Sequence, residues 1–231
     1  MFKVKKVLNK DVYYSDLLEY VPHFFTSREL IVKDNINPLS KYLNIKPENL
    51  KHPAQVHSAN IDIAKENINT YDQTDALILD DKKLAIYLSF ADCTPVILYD
   101  SKNNTGAIAH AGWRGTAQKI ALKTFLKMEE LYNSKPENIT ALIGPCISFS
   151  CFETSTEAIS ELKKTVNDKS GLFRENYADL KGINKRQLQE AGIDKIDVCP
   201  YCTVLDNDKF FSYRKENKTQ KRHSAVLKLP D

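Results

Sequence analysis

The chain has 231 residues, 42% hydrophobic and 27% charged, with 33 basic side chains against 30 acidic ones. This near balance argues against a dedicated nucleic-acid binder, which carries a basic excess on one face, and the apolar fraction is enough for a sizeable core. No stretch approaches the ~20 consecutive apolar residues of a membrane span, and Met1-Phe2-Lys3-Val4-Lys5-Lys6 has charge with no apolar block behind it, so no signal peptide is expected and the expected location is cytoplasmic.

The first forty residues read as short strands and turns, with weak alternation over 2–8 and a polar break at 33–38. One helical turn is expected at 39–43. From Asp75 the signals sharpen. Ala76-Leu77-Ile78-Leu79 is an apolar strand, and Asp80-Asp81-Lys82-Lys83 is its turn. Residues 84–90 and 95–99 form the next two strands. A fourth, Ala107-Ile108-Ala109, ends at His110. The period then changes. Ala117, Ile120, Phe125, Met128 and Leu131 fall near helical spacing, which predicts a helix over 115–132. A strand over 138–143 follows, closed by Gly144-Pro145. Helices are expected over 157–166 and 184–191, the second capped by Gly192, with irregular chain at 172–176. Strands over 209–213 and 224–229 end the pattern. Arg214, Lys215, Lys218, Lys221 and Arg222 form the densest basic run and read as a solvated face. There is no repeat, no linker and no strict Rossmann alternation. The pattern predicts an α+β class with a mixed-sheet sandwich.

Five cysteines, an odd number, point to metal binding, catalysis or plain burial and away from a disulfide framework. Three segments carry the chemistry. Gln55-Val56-His57 follows Pro53, Ala91-Asp92-Cys93 separates two apolar strands, and Ala109-His110-Ala111 lies where a strand meets a turn. Two imidazoles and a thiolate suit zinc, and three protein ligands leave a fourth position open. Spacing alone favours the plainer reading, since a histidine at a strand end is more often a hydrogen-bonded structural residue and a lone cysteine more often a small buried hydrophobe. Gly112-Trp113-Arg114-Gly115, just before the predicted helix, offers an anion site next to His110 or a tight turn with Trp113 packed inside. Glu153, in Cys151-Phe152-Glu153, is a candidate acid or base, or a surface carboxylate. Cys199-Pro200-Tyr201-Cys202 is a C-x-x-C without a thioredoxin-like context or a second such pair.

Taken in order, these segments resemble one family. Gln55-Val56-His57, Thr74-Asp75-Ala76, Ala91-Asp92-Cys93-Thr94-Pro95-Val96, His110-Ala111-Gly112-Trp113-Arg114-Gly115, Ile143-Gly144-Pro145, Cys202-Thr203 and Phe210-Phe211-Ser212-Tyr213-Arg214 follow its succession of motifs. It is the family once called multicopper polyphenol oxidase, or laccase domain. Its members have since been described as purine nucleoside phosphorylases with adenosine deaminase activity, and some are named peptidoglycan editing factor. The resemblance implies one such domain over 1–231 with an α/β/β/α sandwich fold. It implies zinc on His57, Cys93 and His110, with Cu2+ as the alternative ion. It also implies purine nucleosides (adenosine, inosine, methylthioadenosine) and phosphate as small-molecule partners, without nucleic acid or membrane, in a monomer or small homo-oligomer.

By analogy with zinc deaminases, a metal-activated water would attack C6 of adenosine, with Glu153 or Asp75 as the proton shuttle. In phosphorolysis, Arg114, Gly112 and the helix start at Gly115 would cradle phosphate, and Arg214 would add charge. Three departures stand out: Glu29-Leu30 where members carry Gly-Gly, Thr219-Gln220-Lys221 where members carry Thr-Gly-Arg, and an extra Cys199. Alternative readings are copper-dependent phenol oxidation, thiol-based hydrolysis of a peptidoglycan precursor through Cys93, and a metal-binding partner module without turnover.

Overall fold

In several strands nearly every residue is buried, as happens when a sheet is covered on both faces. The computed structural model describes Met1–Asp231, and its elements run in this order: β1 (Phe2–Val7), β2 (Lys10–Ser15), β3 (His23–Thr26), α1 (Ile36–Tyr42), β4 (Leu50–Lys51), β5 (Ile61–Ile63), β6 (Ala76–Leu79), β7 (Ala85–Phe90), β8 (Thr94–Asp100) and β9 (Thr105–Ala111). They continue with α2 (Trp113–Ala117), α3 (Ile120–Tyr132), β10 (Ile139–Ile143), α4 (Thr156–Lys163), β11 (Phe173–Arg174), β12 (Tyr177–Ala178), α5 (Leu180–Glu190), β13 (Lys195–Val198) and β14 (His223–Lys228). One mixed six-stranded sheet has the order β1-β2-β3-β14-β7-β4, and a second has the order β13-β10-β8-β9-β6-β5.

Strand alternation divides the apolar residues between three interfaces. Ile86, Leu88, Phe90, Ala225 and Leu227 of the first sheet meet Leu77, Leu79, Ile97, Ile108 and Leu142 of the second in a shared core. The intervening residues turn outward. Ile78, Val96 and Leu98 pack under Ile120, Phe125 and Met128 of α3, with Leu188 of α5. On the other side Val12, Phe24, Tyr87 and Val226 pack under Leu39 of α1. The result is an α/β/β/α sandwich, as the motif resemblance implies. No helix is long and apolar enough to cross a membrane.

Several local expectations need correction. The predicted helix over 115–132 is two helices, broken at Lys119, whose φ of 60° is left-handed. The break lets α2 lie against the end of β9 while α3 covers the sheet. Residues 209–213 are not a strand. Phe210 and Phe211 are buried, but the backbone turns there, with the Lys209 and Phe210 amides both bonded to the Asp206 carbonyl. The stretch at 172–176, expected to be irregular, holds the first strand and the turn of the short β11–β12 hairpin, with Glu175 at φ 51°. The helix expected over 184–191 begins one turn earlier at Leu180, and Gly192 at φ 85° closes it as expected.

Candidate metal centre

Cys93 lies where the chain leaves β7, in the first sheet, and enters β8, in the second. His110 is the penultimate residue of β9, beside β8, and His57 sits in the loop between β4 and β5. This crossing point brings the three together, with their ligand atoms all within 4.8 Å of one another. Two residues here hold left-handed backbone without being glycine: His57 at φ 64° and Asp92 at φ 79°. Such strain persists only where surrounding bonds over-determine it.

Asp75 supplies those bonds for His57. Its carboxylate is fully buried. It accepts from the backbone amides of Val56 (3.2 Å), His57 (3.0 Å) and Ser58 (2.7 Å) and from the Ser58 hydroxyl (2.8 Å). It also lies 2.8 Å from Nδ1 of His110, which donates to it and so leaves Nε2 for the site. Burial works against the charge, but the bonds from His110 and Ser58 hold the Asp75 pKa down at about 2. Gln55 ties the same loop to β7: its amide donates to the Ser89 carbonyl (2.9 Å) and accepts from the Ser89 amide (2.8 Å).

Asp92 fixes the other side. It accepts from the Thr203 hydroxyl (2.6 Å) and from the Arg214 amide (2.7 Å), so the turn carrying Cys93 is tied to two later loops. Burial raises the Cys93 thiol's pKa, but the imidazoles of His110 and His57 outweigh it and bring it to about 6. Burial likewise lowers that of His110, and the Cys93 sulfur and Asp75 carboxylate more than reverse this. A thiolate is thereby favoured at neutral pH, the form that ligates metal.

The donor set fits a metal ion. Two imidazoles and a thiolate converge without a disulfide, since all five cysteines are free, and they leave room for a fourth, non-protein ligand. Gly112 provides clearance. A Cβ there would lie 2.8 Å from the Cys93 Sγ and 3.3 Å from His57 Cδ2. Gly112→Ala is expected to displace a ligand and lower metal content while leaving the sandwich folded. Metal analysis beside a thermal melt checks this, and full metal content in the variant would refute it.

A cavity of about 550 Å³ opens over the three ligands. Arg114, Arg214 and Arg222 line it. Arg114 rests on the Trp113 ring (4.4 Å), Arg214 over Phe152 (5.8 Å) and Arg222 over Tyr213 (5.9 Å). Among these three, Arg214 donates to the Glu153 carbonyl and Arg222 to those of Thr219 and Lys221, and none pairs with a carboxylate. Three guanidinium groups with unneutralised charge on the wall of one cavity have the chemistry to attract an anion.

Other candidates fall outside the cavity. Gly115 packs against the His110 carbonyl, 3.0 Å from where its Cβ would be, and does not line the cavity. The Glu153 carboxylate is exposed, 3.5 Å from the Tyr177 hydroxyl; only its backbone carbonyl serves the site, through Arg214. Asp75 sits behind the ligands with its oxygens occupied. Cys199 and Cys202 are buried, and burial raises the Cys199 thiol to about 11. Arg222, which reads in the sequence as part of a solvated basic run, lines the cavity instead. It follows directly on the departure at Thr219-Gln220-Lys221.

The chain matches the model of the multi-copper polyphenol oxidoreductase laccase family over residues 25–229. The chain belongs to this family. It is 34% identical to a purine nucleoside phosphorylase of Clostridium acetobutylicum, over 84% of this chain and 82% of that protein. It is 28% identical to an adenosine deaminase from an unidentified prokaryote, over 77% of this chain and 74% of that one. Its fold matches the crystal structure of YlmD from Geobacillus stearothermophilus with a TM-score of 0.90, covering 99% of each chain at 24% identity.

Proposed function

We propose that this chain is a zinc-dependent purine nucleoside enzyme that phosphorolyses adenosine, inosine and methylthioadenosine and deaminates adenosine. The observation that carries this reading is one cavity holding both an open His-Cys-His donor set and three arginines without carboxylate partners. Relatives named for phosphorolysis and for deamination support both activities.

His57, Cys93 and His110 would hold zinc, which when bound supplies a Lewis acid able to polarise an oxygen or ease ionisation of water. The chain's own residues do the rest. Asp75 keeps the proton of His110 on Nδ1 and fixes the His57 loop. Arg114, Arg214 and Arg222 bind phosphate and orient an oxygen of it towards C1′ of the ribose, where the C1′–N9 bond breaks. The donor set favours zinc over the copper of the family's name. No axial methionine reaches the site, since Met128 of α3 is buried in the helix–sheet core and Met1 is exposed beside Asp16. The other histidines form no second cluster of metal-capable groups.

Adenosine incubated with the zinc-loaded protein is expected to give inosine without phosphate, and adenine with ribose 1-phosphate when phosphate is added. Chelation should remove both products, which mass spectrometry resolves. Neither product from loaded protein would overturn the reading. Arg114→Ala is expected to raise the phosphate KM by about tenfold, the loss of one charge-assisted contact, and to leave inosine formation in place. An unchanged phosphate KM would remove Arg114 from the phosphate site.

A further inference from the structure

The polar groups on the cavity wall are largely committed elsewhere. The Gln55 amide is used at both ends by the Ser89 backbone. Both oxygens of Asp92 already accept, from Thr203 and from the Arg214 amide. The three arginines offer donors only. With these bonds made, the Ser89 and Tyr213 hydroxyls are the side-chain groups left to read the edge of a base, so the larger hold open to a base is a ring face.

Outside the metal ligands, two aromatic rings line the cavity. Phe152 is 7% exposed and already lies beneath Arg214. Tyr213 is 43% exposed, although Phe210, Phe211 and Ser212 just before it are buried. Its backbone is fixed on both sides. The Ser212 amide donates to Glu216 (2.9 Å), the Tyr213 carbonyl accepts from the Lys218 amide (2.9 Å), and the Arg214 amide is bonded to Asp92, the residue before Cys93. A large amphipathic ring is therefore carried on fixed backbone in the open, beside the arginines and linked through two residues, Arg214 and Asp92, to the candidate ligand Cys93.

We infer that Tyr213 is the platform on which the purine base stacks, with the Arg222 guanidinium against its ring completing the slab. This rests on the purine nucleoside reading and names the residue that holds the base. Stacking of this kind accepts any purine face and is lost when the ring is removed. Zinc-loaded Tyr213→Ala is expected to raise the adenosine KM by about tenfold to a hundredfold, with the zinc content unchanged and a smaller rise in the phosphate KM, because Arg222 loses the ring it rests on. Tyr213→Phe keeps the ring face and should stay within about twofold of the parent, because the hydroxyl carries no part of the stacking.

Equilibrium dialysis of adenosine against the same zinc-loaded proteins gives a second readout free of turnover. An adenosine KM and dialysis affinity in Tyr213→Ala equal to the parent's would overturn the assignment while leaving the enzyme reading intact. A rise in the phosphate KM as large as that in the adenosine KM, or loss of zinc, would assign Tyr213 a merely structural role. A parent protein that neither binds nor converts adenosine would overturn both.

Discussion

Asp75→Asn is expected to weaken zinc binding by about tenfold to a hundredfold, although Asp75 itself touches no metal. Five donors surround its two oxygens: three successive backbone amides, the Ser58 hydroxyl and Nδ1 of His110. An asparagine has one oxygen and places an NH2 where the other stood. Whichever way it is turned, that NH2 confronts an N–H or O–H donor in a fully buried position. If it takes the place of Oδ2, the Val56 and Ser58 donors that flank the strained His57 lose their acceptor. If it takes the place of Oδ1, the His57 amide and the Nδ1–H of His110 both lose theirs, and the tautomer that presents Nε2 is no longer favoured. Each buried donor left unpaired costs about 1–3 kcal/mol, so the melting temperature falls as well. Competition for zinc with a chromophoric chelator measures the affinity. A zinc affinity within twofold of the parent would show that the ligands are positioned without Asp75.

The role of Asp75 was not legible from its residue type. A carboxylate near two candidate ligands reads as an acid or base, and the sequence offers no sign that 56–58 and His110 will close around it. Those partners lie 17 to 35 residues away, and only the pairing of β6 with β9 brings them together: Ala76 stands opposite Ala109, one step along each strand from Asp75 and His110. The three candidate ligands stood out through the succession of motifs, not through spacing. Cys93 and His110 punctuate apolar strands, but His57 follows the mixed Pro53-Ala54-Gln55-Val56 stretch, and a lone residue of either type at such a place is more often structural. Arg222 was hidden. Within a basic run it looks like its solvated neighbours, and only its bonds to the Thr219 and Lys221 carbonyls turn it inward.

The same physics decides which strands were legible. β7, β8, β9 and β10 lie inside their sheets, covered on both faces, and appear in the sequence as apolar runs. β1, β5 and β13 are edge strands with exposed or half-buried residues, so their composition barely differs from a loop. Residues 209–213 resemble a strand in sequence because Phe210, Phe211 and Tyr213 are aromatic, a composition that strands favour. Phe210 and Phe211 are buried by turns folded against the core, with Phe210 packed on Tyr13 (4.9 Å) and His223 (5.3 Å).

That last contact leads to a prediction about acid. His23 and His223 are 1% and 0% exposed. His23 is satisfied as a neutral ring: Nδ1–H donates to the Val21 carbonyl (2.8 Å) and Nε2 accepts from the Ser15 amide (3.0 Å), so a second proton has nowhere to go. Burial lowers its pKa to about 4. His223 lies between Phe90 and Phe210 with neither ring nitrogen hydrogen-bonded, and burial, with the Arg222 charge adding to it, lowers its pKa to about 3. In the unfolded chain both titrate near 6.5. Below that pH the unfolded state binds protons that the native state refuses, so stability is complete above about 6.5 and is lost progressively towards pH 4. At 1.36 kcal/mol per pKa unit, His23 alone accounts for about 3 kcal/mol of this loss, and His223 for more. Urea unfolding at pH 7, 5.5 and 4.5 should show stability falling steeply on the acid side. His223→Leu replaces an unpaired polar ring with an apolar side chain among aromatics and removes its proton site. It is expected to cut the acid sensitivity by roughly half, at little cost at pH 7. A pH dependence unchanged by that substitution would mean that His223 is protonated in the native state, in contact with water.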